Sequence, residues 1–465
     1  MPPLALGLLA LLLTLPASAQ PAWRSMSPEE RQAYVAELQR EAEADRQRMM
    51  ELLGVETPSG LPSWEDDPNR PAHIVPREGT VNWYDEAGNV HVRGEWGRWS
   101  NYVEAEAGGP EPLDPLVLRS GRRVETPEQW WTLRRPQILE DYVVELYGRT
   151  PAGTPGVFFR AVGPDSTAGG ATVRQVVGRI EDARLLPTAP RIEMTLYLPE
   201  GAEAVPVVVQ VGGFWGQSDE LPEPVRQALD RGWAFATVET GPIQMDSGAG
   251  LDEGVIGYMN GGRPRDPDDW GVLAAWAWGL SRALDYLDQA PETDAARAAI
   301  TGHSRNGKAA LLTAALDTRW AAAWPSCAGA MGTSLEKRDW GETIDNVASA
   351  GGYHWMAGTF LTYAGRWDAM PGDAHFLMAL VAPRPLFVTG GTTDQWSDPH
   401  GEFLAAVAAD PVYELLGDPG LPTTEMPAPD VALTSGALAF RNHEGGHTPA
   451  PDWPVFYDWL GRYVE

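Results

Sequence analysis

The sequence predicts an α/β protein, with a mostly parallel central sheet covered by helices on both faces as a three-layer sandwich. Three observations carry this. From about residue 116 onward, apolar runs with strand character alternate with runs of helical period, the pattern of a parallel sheet with crossover helices. One of the strand runs, "AVPVVVQVGG" (204–213), is continuously apolar and Val-rich, as expected for a strand buried on both faces. The stretch "AITGHSRNGKAAL" (299–311) has a strand, a tight turn at Ser304 and a helix former run in immediate succession.

Taken in order, residues 1–19 carry no charge, run apolar through "LALGLLALLLTL" and end in "ASA" before Gln20. This is the layout of a cleavable leader cut after Ala19, and the apolar run is shorter than the ~20 residues a membrane span needs. An exported protein, secreted or periplasmic and with no membrane association after cleavage, is the expectation. Residues 20–111 form an N-terminal extension. It begins with a helix, for which Ser27 is a good N-cap, Pro28 suits the first position, Glu30 completes a capping box and Gly54 stops the run. The rest is rich in Pro, Gly and Trp, with one hairpin-like stretch around Ala87-Gly88-Asn89. Residues 112–465 form the main domain. "WWTLRRPQILEDYVVELYG" is expected as a helix, and "ATVRQVVGRIE" and "RIEMTLYLPEG" as strands with period-two alternation. "AVPVVVQVGG" and "WAFATVET" follow as strands, and "DDWGVLAAWAWGLSRALDYLDQ" as a long helix. The strand–turn–helix at Ser304 comes next. "WAAAWPSCAG", "RPLFVTGG" and "ALAFRNHEGG" supply three further strands, and "DWPVFYDWLGRYV" closes the chain as an amphipathic helix. This succession is the arrangement of the α/β-hydrolase fold.

The bulk numbers narrow the function. Formal charge is −29, from 64 acidic and 35 basic residues, and the excess is spread along the chain. Such a surface repels nucleic acid and anionic membranes, so neither is an expected partner. Cys327 is the only cysteine, so no intramolecular disulfide can form. Twenty tryptophans are unusually many, and indole rings suit sugar-binding walls as well as cores.

A serine hydroxyl becomes a nucleophile when a base takes its proton and an acid orients that base. In this fold the three follow in the order Ser, acid, His. Five of the eight histidines lie beyond Ser304, and only His443 and His447 come just after the last strand. Gly445 and Gly446 free the chain to turn sharply, which favours His447. For the acid, the loop after "PLFVTGG" offers Asp394, with Asp398 as a rival. The loop after the preceding strand offers only Cys327, and a neutral thiol cannot compensate an imidazolium.

The strings "GHSRNGKAAL", "RDWGETIDN", "HWMAGTF", "DAHFLMALVAPRPLFVTGGTTDQWSDPHGEFLAA" and "NHEGGHTPAPDW", with "LDPLVLRSGRRVETPEQWWTLRRPQILEDYVVELYGRTP" upstream, resemble the glucuronoyl esterases of carbohydrate esterase family 15, most closely the bacterial branch. The resemblance covers roughly residues 112–465. It implies hydrolysis of the ester between the C6 carboxyl of (4-O-methyl-)glucuronic acid on glucuronoxylan and a lignin alcohol, by a monomer with no metal and no organic cofactor. It implies Ser304 as nucleophile, His447 as base, and Arg305 as oxyanion donor through its backbone N–H and guanidinium. Lys308, Glu342 and Trp396 would contact the sugar. The chain departs from the family where many members carry a catalytic Glu, for Cys327 stands there. Some bacterial members carry the acid one strand later, where Asp394 sits. Other readings are a same-fold acetylxylan or general carboxylesterase, which would depend little on Lys308 and Glu342, and a non-catalytic carbohydrate-binding protein. A peptidase of the same fold is disfavoured because no propeller domain precedes the hydrolase part.

Overall fold

A computed structural model describes residues 26–78, 82–180, 189–214 and 220–465; the expected leader lies outside the described residues. Helix α1 (Pro28–Leu53) is closed at its start by the Ser27–Glu30 capping box and at its end by Gly54 in the left-handed conformation, as the local sequence requires. The hairpin expected around Gly88 pairs Trp83 with His91 and Tyr84 with Val90. A small aromatic cluster of Trp64, Trp83, Trp99 and Ile74 holds this segment together.

The main domain is built on an eleven-stranded sheet. Its strands are β1 (Val157–Ala161), β2 (Ser166–Ala168), β3 (Ala171–Ile180), β4 (Arg191–Leu198), β5 (Val205–Val211) and β6 (Ala234–Glu239). They continue with β7 (Thr293–His303), β8 (Ala322–Ser326), β9 (Leu386–Gly391), β10 (Ala432–Leu433) and β11 (Leu438–His443). The order across the sheet is β10-β11-β9-β8-β7-β5-β6-β4-β3-β1, with β2 on β3. From β11 to β6 every pairing is parallel. The sheet is therefore mixed: the parallel half carries the crossover helices, and β4, β3, β2 and β1 extend it as an antiparallel wing.

Alternation along the central strands decides which layer each side chain joins. Val207, Val209 and Val211 of β5 enter the core shared with α2 (Val272–Gln289) and α3 (Arg305–Leu316). Val208, on the other face, packs with Trp324, Phe387 and the residues of α5 (Trp453–Val464). Helix α4 (Pro399–Leu415) joins the first layer through Phe403 and Tyr413. Met49 and Met50 of α1 are buried in that same core, so the extension is packed into the main domain rather than tethered to it. Arg46, also buried, donates to the Ala348 carbonyl at 2.9 Å.

The segment expected as one helix at 130–148 runs over 127–147 with two π-helical stretches, Trp130–Arg134 and Leu139–Val144. Pro136 supplies the reason for the first. It has no N–H to donate and its ring presses on the preceding turn, so the helix widens, and Arg135 N–H reaches back five residues to Trp130. No helix among the described residues is long and apolar enough to cross a membrane.

Candidate active site

Strands β7, β8, β9 and β11 are parallel neighbours, so the segments that follow them meet along one edge of the sheet. Those segments carry Ser304, Cys327, Asp394 and His447 respectively. Ser304 sits at the tip of the turn between β7 and α3 with φ 59° and ψ −131°, a backbone state that L-residues rarely hold and that lifts its side chain clear of strand and helix. Its N–H donates to Ser326 O at 2.9 Å, and its carbonyl accepts from Gly307 and Lys308, opening the helix.

This turn requires close approach of strand to helix. A Cβ on Gly302 would lie 2.2 Å from the Asn306 carbonyl oxygen, and one on Gly307 only 3.1 Å from the Ala328 Cβ. Glycine is thus needed before the serine, and Gly307 takes the packing role often held by a glycine at the position of Asn306.

His447 and Asp394 are joined directly, Nδ1 to Oδ2, at 2.7 Å. Ser397 Oγ lies 3.4 Å from the same nitrogen. The His447 ring packs on His303, the residue before Ser304, with centroids 4.3 Å apart. Burial works to raise the Asp394 carboxyl, but the hydrogen bond and charge of His447, with Ser397 and Cys327, outweigh it and hold the group below the usual carboxylate range. His303 is driven the other way: burial and the neighbouring His447 lower it to about 3, so it is a neutral ring at working pH.

The rivals are committed elsewhere. Asp398 caps α4 through Gly401 N–H and accepts from Arg338 Nε at 2.9 Å; burial pushes it up to about 6. His443 binds the buried Asp452 at 2.9 Å. Cys327 is buried in the place where an acid would stand, and burial with the nearby Glu402 and Asp394 charges raises its thiol well above the ordinary range. Cys327, Asp394 and His447 offer one ligand atom each within 4.8 Å, the sole grouping with metal-ligand spacing among the described residues. Ligation needs the thiolate, whereas this site keeps the thiol protonated and the carboxylate on the imidazole, which suits proton transfer.

The serine opens onto a cleft of about 390 Å³. Arg305, Lys308, Glu342, Trp355 and Trp396 form much of its wall, and Val92, Arg93 and Gly94 of the N-terminal extension form another side. The structure therefore brings all seven candidate residues to one edge of the sheet. Lys308 differs from expectation in its bonding. It is buried, and its three N–H groups already serve Ala328 O at 2.8 Å, Ala330 O and Glu342 Oε2 at 2.7 Å. An ammonium has no fourth donor, so a sugar hydroxyl must share or displace one of these partners. What Lys308 does directly is hold Glu342 at the cleft wall.

Asp246 was not legible in the sequence. It is buried in the loop after β6 and accepts from Arg305 Nη1 at 2.5 Å, His354 Nε2 at 2.9 Å and Trp355 Nε1 at 2.6 Å. Burial opposes its ionisation, but Arg305 and His354 prevail and hold it far below the usual carboxylate range. One carboxylate thus fixes both a cation beside Ser304 and an indole of the cleft. It lies 59 positions from Arg305 in a stretch without periodicity or motif, so only the fold connects them. The cleft role of residues 92–94 was equally hidden, since hairpin signals report a turn and not where the hairpin docks.

Comparison with known proteins points one way. The family model described as "Glucuronyl esterase, fungi" matches residues 188–417. The curated carbohydrate esterase MZ0003, from an unknown prokaryotic organism, is 32% identical over 409 residues, covering 79% of this chain and 93% of its own length. A 4-O-methyl-glucuronoyl methylesterase of Schizophyllum commune is 29% identical over 317 residues, covering 66% and 74%. Among solved structures, a CE15 glucuronoyl esterase from Teredinibacter turnerae T7901 aligns with a TM-score of 0.76 at 34% identity, over 90% of this chain and 99% of that one. A glucuronoyl esterase from Solibacter usitatus aligns at 0.71 and 33% identity, over 78% and 100%.

Proposed function

The chain belongs to the glucuronoyl esterases of carbohydrate esterase family 15, carboxylic ester hydrolases that act on glucuronic acid esters, and from that premise we propose that it cleaves the ester linking (4-O-methyl-)glucuronic acid of glucuronoxylan to lignin alcohols. The observation that carries the catalytic part is the 2.7 Å His447–Asp394 contact, the His447 ring being packed on His303, which precedes Ser304 of the cleft lined by Arg305 and the Lys308–Glu342 pair.

In this mechanism Ser304 Oγ attacks the C6 carboxyl carbon while His447 Nε2 takes the hydroxyl proton. Asp394 stabilises the imidazolium without being protonated itself. The oxyanion faces the backbone N–H of Arg305, which at the first position of α3 has no intrahelical acceptor, and the Arg305 guanidinium. Each such donor contributes roughly 3–4 kcal/mol in comparable sites. Collapse expels the alcohol, which receives the proton from His447. Water, activated by the same histidine, then frees glucuronate and Ser304. Glu342, Trp396 and, through Glu342, Lys308 hold the sugar. Residues 20–111 are read as an extension of the catalytic domain, residues 112–465, with Val92, Arg93 and Gly94 walling the cleft. A leader at 1–19 and secretion as a monomer suit a substrate that is a polymer outside the cell.

Hydrolysis of benzyl glucuronate, abolished in Ser304→Ala, is the expected result. Activity confined to acetyl esters such as acetylxylan would overturn the substrate assignment.

A further inference from the structure

Several donors of the cleft are already committed. All three N–H groups of Lys308 go to Ala328 O, Ala330 O and Glu342. The indole N–H of Trp355 goes to Asp246, as does Arg305 Nη1. Asn346, which lines the same cleft as Ser304, Lys308 and Glu342, is arranged differently. It is the third residue of the short helix Ile344–Val347, whose N-cap is Thr343. The backbone N–H and the hydroxyl of Thr343 both donate to Asn346 Oδ1, at 2.8 Å and 2.7 Å. A backbone N–H can only donate, so the amide must turn its oxygen to Thr343 and its nitrogen away from it. Asn346 Nδ2 has no hydrogen-bond partner among the described residues, although the residue is only half-buried and opens on the cleft. The capping box uses the oxygen alone, so the amide nitrogen is surplus to the helix.

The frame that carries this nitrogen is fixed on every side. Ile344 and Val347 enter the main core. Asp345 accepts from Trp367 Nε1 at 3.0 Å and from Gly365 N–H at 2.7 Å, and Arg46 donates to Ala348 O at 2.9 Å. A donor held in this way gives up little freedom when it meets a ligand. Its chemistry restricts the partner. An amide N–H only donates and carries no charge, so the ligand must present a neutral acceptor oxygen. Four positions earlier stands Glu342, whose Oε2 takes Lys308 and whose carboxylate only accepts. A wall with a carboxylate acceptor and a neutral donor matches a pyranose, since its hydroxyls donate to the one and accept from the other. A phenyl ring could use neither.

We propose that Asn346 is a substrate-recognising residue, its Nδ2 donating to a hydroxyl or ether oxygen of the glucuronate as the neutral counterpart of Glu342. The proposal rests on the reading of this cleft as a glucuronate esterase site. It gives one side chain two separable roles: the oxygen closes the helix start and the nitrogen holds the sugar.

Steady-state kinetics on benzyl glucuronate tests this with two variants. Asn346→Asp keeps an oxygen for Thr343, and with it the cap, but sets an acceptor against the acceptor oxygen of the sugar; KM should rise about tenfold or more. Asn346→Ala removes the donor without adding charge, and KM should rise about three- to tenfold, the worth of one neutral hydrogen bond. In both, kcat should move by less than about twofold, because the donor serves the bound ester and the transition state alike. Melting temperature separates recognition from the cap: Asn346→Asp should melt with wild type and Asn346→Ala below it. Where Asn346→Ala fails to fold, Asn346→Asp carries the test. An unchanged KM in folded Asn346→Asp, a KM rise there with none in a folded Asn346→Ala, or a fall in kcat at constant KM would overturn the assignment and leave the esterase reading standing. A wild type that cleaves acetyl esters and not benzyl glucuronate would overturn that reading and the assignment with it.

Discussion

Replacing Asp394 by Asn removes the acceptor that fixes the Nδ1 proton of His447, and turnover should fall by ~10²–10⁴-fold with little change in KM. Cys327→Ser exchanges one neutral buried group for another and should change kcat by no more than about twofold. Steady-state kinetics on a glucuronate ester distinguishes them, and the reverse pattern would move the acid to position 327. Asp246 supports a subtler expectation. Asp246→Asn loses the charge that aims the Arg305 guanidinium, and kcat should drop about tenfold, equivalent to ~1.4 kcal/mol of transition-state stabilisation. In an Arg305→Ala background the same change should cost almost no further activity and should recover stability, because it removes a buried carboxylate left without its cation. A double-mutant cycle in kcat and melting temperature checks both signs. The contrast between these two acids shows what a sequence discloses about a site. Asp394 follows a strand, beside a turn signal, in a stretch that resembles a known family; Asp246 meets Arg305 only through the fold.

Elements obey the same division. The start and stop of α1 were legible because capping is local chemistry at Ser27, Glu30 and Gly54. Strand identity in β3 and β4 was legible from alternation, but their antiparallel pairing was not, since period two reports faces and not the direction of the neighbour. The π-turns before and after Pro136 were hidden because apolar periodicity does not record hydrogen-bond register. For the nucleophile turn the element itself makes a prediction. Gly302→Ala sets a Cβ against a backbone carbonyl oxygen at 2.2 Å, where neither strand nor helix can yield without moving the other. It should cost ~3 kcal/mol or more, beyond the usual overpacking loss, and displace Ser304. Gly307→Ala meets its neighbours at 3.0–3.2 Å and should cost ~1 kcal/mol. Urea midpoints rank the two, and equal losses would show that the turn is not the tight point it is taken to be.

For the whole molecule, the charge of −29 treats every acid as solvated, and the fold shows that several are not. Burial lifts Asp398 to about 6 and raises Glu402 and Glu336 well above the carboxylate range. Asp246 and Asp394, against the pull of burial, are held down by Arg305 and His447. The two sets give pH dependences of opposite sign. A raised carboxyl binds its proton more tightly in the folded chain than at its unfolded value of ~4, so its contribution is full below ~4 and is lost as pH rises through the folded value. A lowered carboxyl contributes fully above ~4 and loses that contribution as pH falls toward its folded value. Relief of acidic self-repulsion on protonation acts in the same direction as the raised set. Melting temperature should therefore rise from pH 8 toward about 5 and fall again below about 4. Glu402→Gln isolates the first limb. Glu402 accepts from Thr333 Oγ1 at 2.6 Å and from Gly329 N–H at 3.2 Å, while its second oxygen has no hydrogen-bond partner. Exchanging that oxygen for an amide has a cost that does not change with pH, whereas removing the titration gives a gain that grows with pH. The melting temperature of Glu402→Gln relative to wild type should thus increase steadily from pH 5 to pH 8, measured by calorimetry at fixed ionic strength, and a difference that stays flat would show that Glu402 is not a source of the slope.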